Sequence, residues 1–281
     1  SEEFYYMYAT SFDVEGFKVW KSENMEEWTD LGVCLDLTDS WAHEDYWAPE
    51  VIYHNGKYIM HYTSRRKSDE SLRLGVAVSE SPEGPFKDVH NGPMFDFGYA
   101  AIDGHVFIDE DGKPYFYYSK DCSENYVAED VRASEICVCE LSDDLLSVTS
   151  EPITLFGPSE DYDSIMVGDQ MWNEGPYILK KDGIYYMTYS ANFYASNDYC
   201  ICVAKAKNPL GPFKKGNAPI MKCGNAGEDF AGPGHNAFFY DKEGKLKMTF
   251  HIQTDENDPS PNRKACICDA ELQNGTIEFS L

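Results

Sequence analysis

Four ionisable side chains stand early in four otherwise largely apolar segments, and their types suit acid–base chemistry on a sugar. They are Glu50, Asp103, Glu174 and His235. Carboxylates held close together raise at least one pKa, which keeps one acid protonated near neutral pH. Such an acid beside a carboxylate base cleaves a glycosidic bond, because the acid protonates the departing oxygen while the base activates water. At any single position, the alternative is a carboxylate that binds turn amides or an arginine.

A repeated segment predicts how these residues are positioned. Five short aromatic runs recur along the chain, four of them directly after a turn signal such as Asn55-Gly56. The last aligned residues of the five runs are Ser11, Ser64, Ser119, Ser190 and His251, at spacings of 53, 55, 71 and 61. Glu50 precedes its aligned position by 14 residues, and the other three ionisable residues precede theirs by 16. The matched offsets predict equivalent places in repeated structural units.

The repeats predict an all-β fold. Aromatic residues make up 15% of the chain and favour half-buried strands, and each unit is typical of two hairpins. Five such units predict a five-bladed β-propeller with four antiparallel strands per blade, as one catalytic domain over residues 1–281. The first blade is incomplete, since the sequence opens with its second strand. A β-sandwich is the alternative, but it does not explain five similar units. In a propeller the first strands surround a central channel, which would gather the four ionisable residues.

Charge and composition exclude several partners. The formal net charge is −26, which excludes nucleic acid and disfavours an anionic membrane surface. The sequence contains no stretch of about 18 apolar residues, so it predicts no membrane span. Six of the nine cysteines form three C-x-C pairs, which favour buried thiols in strands rather than a zinc site. Free thiols, and a start without a signal-peptide pattern, predict a cytoplasmic protein. The oligomeric state stays open.

The four motifs together resemble glycoside hydrolase family 43, the five-bladed propeller enzymes of arabinan, arabinoxylan and xylan. The matching motifs are W-A-P-E at 47–50, A-I-D-G at 101–104, N-E-G-P at 173–176 and G-P-G-H-N at 232–236. The resemblance implies that Glu174 is the general acid and that Asp103 orients it and tunes its pKa. It also implies an Asp as general base on the first strand of blade one. Subtracting the offset of 14 to 16 from 11 gives position −3 to −5, so the general base is expected upstream of Ser1.

The same resemblance implies substrate and metal contacts. His235 corresponds to a histidine near the channel floor, where some members hold calcium or water, so it is a candidate substrate contact and calcium ligand. No cofactor is otherwise expected to be required. Arg263 is similar to a last-blade arginine that contacts substrate. Trp47, Trp172 and Phe230 are predicted to stack on sugar rings, because aromatic faces pack on sugar C–H edges; blade packing is the alternative for Trp47.

The resulting hypothesis is an inverting exo-glycosidase that releases a terminal α-L-arabinofuranosyl or β-D-xylosyl unit from hemicellulose oligosaccharides. The alternatives are a non-catalytic carbohydrate-binding propeller and an endo-arabinanase. A related propeller enzyme of fructans or mannosides is disfavoured by the pairing of A-I-D-G with N-E-G-P.

Overall fold

The protein is described by a computed structural model that covers residues 3–227, 230–255 and 262–280. Every regular element in these ranges is a β-strand, which confirms the all-β prediction. Across the same ranges, no helix has the length and apolarity needed to cross a membrane.

The chain divides into two compact units. Unit 1 comprises 1–118 and 139–152, and unit 2 comprises 119–138 and 153–281. The single domain over 1–281 stays a prediction.

Unit 1 contains two complete sheets. The first has three strands in sequential order: β1 (Tyr5–Thr10), β2 (Phe17–Ser22) and β3 (Thr29–Val33). The second has four: β4 (Trp47–His54), β5 (Lys57–Arg65), β6 (Leu72–Ser79) and β7 (Lys87–Asp88). The turn between β4 and β5 has positive φ at Asn55 (50°) and Gly56 (83°). Both central residues of a type I′ hairpin need this conformation, which explains the Asn-Gly signal.

The third sheet and a small accessory sheet follow in the chain. The third sheet runs in the order β13-β12-β9-β8, with β8 (Ala101–Ile108), β9 (Pro114–Lys120), β12 (Glu135–Glu140) and β13 (Ile153–Phe156). The accessory sheet joins β10 (Tyr126–Ala128), β11 (Val131–Ala133) and β14 (Gln170–Met171). Its β11 and β14 are parallel, whereas the first two strands of the second, fourth and fifth sheets pair antiparallel.

Unit 2 contains two further four-stranded sheets, both in sequential order. The fourth sheet has β15 (Asn173–Lys181), β16 (Ile184–Ala191), β17 (Cys200–Ala206) and β18 (Lys214–Lys215). The fifth has β19 (Ala231–Tyr240), β20 (Leu246–Gln253), β21 (Arg263–Gln273) and β22 (Thr276–Ser280). Each repeated sequence unit therefore folds into a sheet of its own, with its aromatic run in one strand. Their arrangement as five blades stays a prediction.

The cysteines lie where the alternation predicts. All nine are free, and the three C-x-C pairs lie in β12, β17 and β21. The Sγ atoms of Cys200 and Cys202 are 3.8 Å apart, as expected for alternate residues on one face of a strand. Burial raises the pKa of the Cys202 thiol well above its ordinary value. The cytoplasmic compartment stays a prediction.

Candidate active site

Three strands that carry predicted site residues share one distortion near their starts. Ala48, Asp103 and His235 have φ values of 47°, 58° and 49°, a conformation that non-glycine residues seldom adopt. Each donates its backbone N–H to a side-chain hydroxyl in the preceding sheet, on the strand that carries the aromatic run. The acceptors are, in order, Thr10 Oγ1 at 3.1 Å, Thr63 Oγ1 at 3.0 Å and Ser190 Oγ at 2.7 Å. The same hydrogen bond therefore fixes the start of all three strands.

This geometry separates Glu50 from the other ionisable residues. Ala48 takes the distorted position in β4, 16 residues before Ser64, so Glu50 lies two residues farther along. The strand pairing agrees. Glu174 pairs with Ser190, the aligned end of its aromatic run, whereas Glu50 pairs with His61, three residues short of that end. The offset of 14 instead of 16 thus means that Glu50 lies farther along its strand, and Glu50 is not equivalent to Glu174.

Glu50 connects two strands of unit 1. Its carboxylate lies 2.8 and 3.0 Å from Nδ1 of the buried His105, and Oε1 accepts the backbone N–H of Val106 at 2.9 Å. These contacts join β4 to β8. The carboxylate therefore has the amide-binding, structural role that was the alternative at each single position.

Asp103 is buried in unit 1, with 7% of its surface exposed. The residue after it must be glycine, because a Cβ on Gly104 would lie 2.3 Å from Cζ of Phe116 in β9. The close approach of Phe116 explains the glycine of A-I-D-G. Trp47, at the start of β4, packs against an apolar cluster of Leu72, Ala100 and Ile102. The contacts described for Trp47 are those of sheet packing, and its role in stacking on a sugar stays a prediction.

Glu174 stands at the start of β15 in unit 2, with 8% of its surface exposed. The buried Tyr199 donates its hydroxyl to Oε1 at 2.9 Å. The pairing with β16 is interrupted between Glu174 and Tyr177, and Gly175 has a φ of 57°. A Cβ on Gly175 would lie 3.3 Å from Nδ1 of His235. A bulge of this kind re-aims the side chain beside it, and here that side chain is the predicted acid.

Tyr199 is held in place by the motif that contains His235. A Cβ on Gly234 would lie 1.9 Å from Cε1 of Tyr199, so only glycine lets the ring pass. The opposite contact is with His251, whose ring centroid is 5.7 Å away at an interplanar angle of 20°. Burial, and to a lesser extent the nearby Arg263 and His235, keeps the pKa of His251 well below its ordinary value. His251 is therefore a neutral surface for the tyrosine that orients Glu174.

A buried ion pair supports the residue before Glu174. Lys215 Nζ contacts the carboxylate of Asp163, whose side chain is fully buried, and lies 3.0 Å from Oδ1 of Asn173 and 2.6 Å from the carbonyl oxygen of Gly157. Asn173 donates its side-chain amide to the Asp163 carbonyl at 3.2 Å. The ammonium group is thus surrounded by acceptors, as a buried charge requires. Nothing in the sequence motifs indicated Lys215, Asp163 or Tyr199.

The predicted substrate residues of unit 2 occupy two environments. Trp172 and Arg263 lie at the two ends of a series of neighbouring side chains. The ring centroids of Trp172 and Phe193 are 5.0 Å apart, as are those of Phe193 and Tyr194. The Arg263 guanidinium lies 5.5 Å from the Tyr194 ring centroid. Phe230 instead belongs to a buried apolar cluster of unit 2 and contacts Phe250 at 6.0 Å. The contacts described for Phe230 are those of a core residue.

A family model described as "Glycosyl hydrolases family 43" matches residues 1–277. The chain belongs to glycosyl hydrolase family 43. The crystal structure of a thermostable family-43 glycoside hydrolase is 42% identical, with a TM-score of 0.92, and the match covers 99% of this chain and 89% of that one. This similarity confirms the family inferred from the four motifs.

Two curated members of family 43 are more distant in sequence. A β-D-galactofuranosidase, xynD, of Aspergillus niger is 26% identical over 265 residues, which is 89% of this chain and 70% of that protein. A xylosidase/arabinosidase of Bacteroides ovatus is 29% identical over 221 residues, which is 72% of this chain and 66% of that protein. The chain thus spans about two thirds of the length of these relatives.

The resemblance makes His235 a candidate ligand of calcium, which some members of family 43 hold, and the residue beside it offers a further ligand. The next residue, Asn236, is buried, and its Oδ1 has no hydrogen-bond partner within the described ranges. Ca²⁺ takes six to eight oxygen ligands, of which this amide oxygen would supply one. The described residues contain one three-residue group of metal-ligand type, at His43, Glu44 and Glu70, and it excludes His235. Calcium at His235 stays a prediction.

Proposed function

We propose that this family 43 member is an inverting exo-glycosidase that releases a terminal α-L-arabinofuranosyl or β-D-xylosyl unit. The observation that carries the proposal is Glu174, a nearly buried carboxyl group at a bulged strand start, held by the Tyr199 hydroxyl at 2.9 Å. A carboxyl group that must deliver a proton to one oxygen needs a fixed orientation, and this contact supplies it.

Glu174 acts as general acid in this mechanism. Its proton passes to the glycosidic oxygen as the bond to the sugar breaks, so the leaving group departs as a neutral alcohol. The carboxylate that remains accepts the Tyr199 hydroxyl, which stabilises the charge left by the proton. Water attacks the opposite face of the sugar ring, as inversion requires, with acid and base carboxyl groups about 6.5–9.5 Å apart. The general base of this mechanism is the Asp that the resemblance to family 43 implies on the first strand of blade one.

Asp103 is the counterpart of the family aspartate that tunes the acid. Its burial, its left-handed backbone and the glycine after it support a side chain with a fixed direction. We assign the carboxylate of Asp103 to catalysis and that of Glu50 to structure, because Glu50 already binds His105 and Val106. In the proposed fold the five sheets are blades of one propeller. The shared hydrogen bond between consecutive sheets, from Ala48 to Thr10 and from Asp103 to Thr63, supports this arrangement.

The names of the relatives support the proposed substrate class. One relative is named a xylosidase/arabinosidase and another a β-D-galactofuranosidase, so their names include both pentoses and a hexose in the furanose form. A furanose other than arabinose is the second candidate, and endo-arabinanase action or binding without catalysis are the further alternatives. A screen of aryl arabinofuranosides, xylosides and galactofuranosides separates the first two.

Replacement of the acid tests the mechanism. Glu174→Gln removes the proton but keeps the shape, so kcat/KM should fall by about 10²–10⁴ on substrates with poor leaving groups and much less on activated aryl glycosides. Glu243→Gln, an exposed carboxylate in a hairpin turn of the same unit, is the control and should match wild type. A Glu174→Gln variant with full turnover on a natural oligosaccharide would sink the assignment.

A further inference from the structure

The loop between β16 and β17, residues 192–199, begins and ends beside Glu174. Ala191, just before the loop, pairs with Asn173, and Tyr199, its last residue, donates to the Glu174 carboxylate. Neither the motifs nor the resemblance singled out the loop itself. Both ends of the loop therefore lie next to the proposed acid.

The loop is anchored on two sides. The backbone N–H of Asn192 donates to the carbonyl oxygen of Trp172 at 3.0 Å. The buried Gln253 donates its side-chain amide to the carbonyl oxygens of Tyr194 and Ser196, at 2.8 and 3.0 Å. Gln253 reaches the loop past Gly232, where a Cβ would lie 2.2 Å from its Nε2. These hydrogen bonds hold the backbone of the loop at Asn192, Tyr194 and Ser196.

Phe193 and Tyr194 are the aromatic side chains at the start of this loop, and both are half-buried. They join Trp172 to Arg263 in one series with spacings of 5.0, 5.0 and 5.5 Å. Flat rings stack on the C–H faces of sugars, and a guanidinium supplies donors for sugar hydroxyls. The series thus combines the contacts that a neutral oligosaccharide uses.

We propose that the loop 192–199 binds the leaving-group side of an oligosaccharide substrate, with Tyr194 and Phe193 as stacking surfaces. This inference rests on the proposed function, since Glu174 marks where the bond breaks. Trp172 and Glu174 are each 8% exposed, so they belong to the enclosed part of the site. The loop rings are more exposed, and the leaving group of an exo-acting enzyme is the part of the substrate that faces solvent. The loop therefore favours substrates with further sugars beyond the cleaved bond.

The test compares two substrates on one preparation of the full chain. The first is an aryl pentoside and the second a linear trisaccharide of the same pentose. In Tyr194→Ala, the ratio of kcat/KM for the trisaccharide to kcat/KM for the aryl pentoside should fall about tenfold, in keeping with the loss of one aromatic contact. The ratio does not depend on the folded fraction, so a stability loss cannot imitate the effect. Tyr194→Phe, which keeps the ring, should retain the wild-type ratio.

Tyr126 provides a matched control in the same unit. It is 67% exposed, and the Arg132 guanidinium lies 5.9 Å from its ring centroid, much as Arg263 lies over Tyr194. Tyr126→Ala should leave the ratio at the wild-type value. An unchanged ratio in Tyr194→Ala, or an equal fall in Tyr126→Ala, would overturn the proposal.

Calorimetry separates this proposal from the proposed function. A wild-type chain that cleaves no pentoside overturns the assigned reaction, but trisaccharide binding can still be measured. Weaker binding in Tyr194→Ala than in Tyr126→Ala then supports the loop as a sugar site. Equal binding in the two variants overturns it.

Discussion

Glu50 and Glu174 come from similar positions of repeated sequence units but have different surroundings. Glu50 pairs with His61 inside its sheet and binds two groups of β8, the His105 ring and the Val106 amide. Glu174 pairs with Ser190 at the end of its sheet, beside a bulge, and accepts the Tyr199 hydroxyl. A difference of three residues in the partner position therefore separates a carboxylate that connects two strands from the one that we propose as the acid.

The largest expected effect is that replacement of Glu174 lowers activity, whereas replacement of Glu50 lowers stability. Glu174→Gln should lower kcat/KM on oligosaccharides by about 10³, with little change in the free energy of unfolding. Glu50→Gln should lower the free energy of unfolding by about 1–3 kcal/mol, because His105 and Val106 lose a charged acceptor. Steady-state kinetics and urea unfolding measure the two effects. The comparison is wrong if Glu50→Gln abolishes turnover at full stability.

The support of Glu174 depends on a buried charge pair that has no counterpart among the contacts described for Glu50. Lys215→Met leaves the carboxylate of Asp163 buried without its cation, so unfolding should become easier by about 3–5 kcal/mol. Urea unfolding at neutral pH measures the loss. Lys205→Met is the control. Lys205 lies in the same sheet, and among the described contacts its ammonium group donates only to an exposed backbone carbonyl oxygen. The free energy of unfolding of this variant should stay within about 0.5 kcal/mol of wild type. A loss that is equal in both variants would contradict the prediction.

The Glu50 region should respond to acid through His61. Burial lowers the pKa of His61 from 6.5 to about 4, so the folded state holds this ring neutral. In the unfolded chain the His61 ring binds a proton below about pH 6.5. The contribution of neutral His61 to the free energy of unfolding is therefore fully present above pH 6.5 and is lost as the pH falls towards 4. The full loss is about 3 kcal/mol from one residue. Urea unfolding at pH 7 and pH 4.5 should show a smaller drop in His61→Gln than in wild type; equal drops would refute it.

The smallest effect concerns the orientation of Glu174. Tyr199→Phe keeps the ring against His251 but removes the hydroxyl, so kcat should fall about tenfold with KM nearly unchanged. Steady-state kinetics on an oligosaccharide measure the split. Tyr126→Phe is the control. A variant in which only KM rises would mean that Tyr199 contacts the substrate rather than positioning the acid.

Much of the fold could be read from local patterns. Asn55-Gly56 predicts a tight hairpin because both residues tolerate positive φ, and the structure has that turn. Alternation predicts that Cys200 and Cys202 share a strand face, and their sulfur atoms are 3.8 Å apart. The motifs also predict family 43, which the match over residues 1–277 confirms. Glu174 was predicted from the N-E-G-P motif and from an offset equal to that of His235, although in the strand pairing Gly234, not His235, takes the place of Glu174.

The sequence by itself determined the strands, the turns, the family and the identity of Glu174 as the proposed acid, because these depend on neighbouring residues or on motifs of four or five. Only the tertiary structure decided that Glu50 binds His105, that Tyr199 orients Glu174, and that Lys215 supports Asn173. The physical reason is that these contacts join residues 25 to 55 positions apart, and they depend on strand register and on glycines that let a ring approach the backbone. No local pattern encodes such a meeting, since either partner alone resembles an ordinary strand residue.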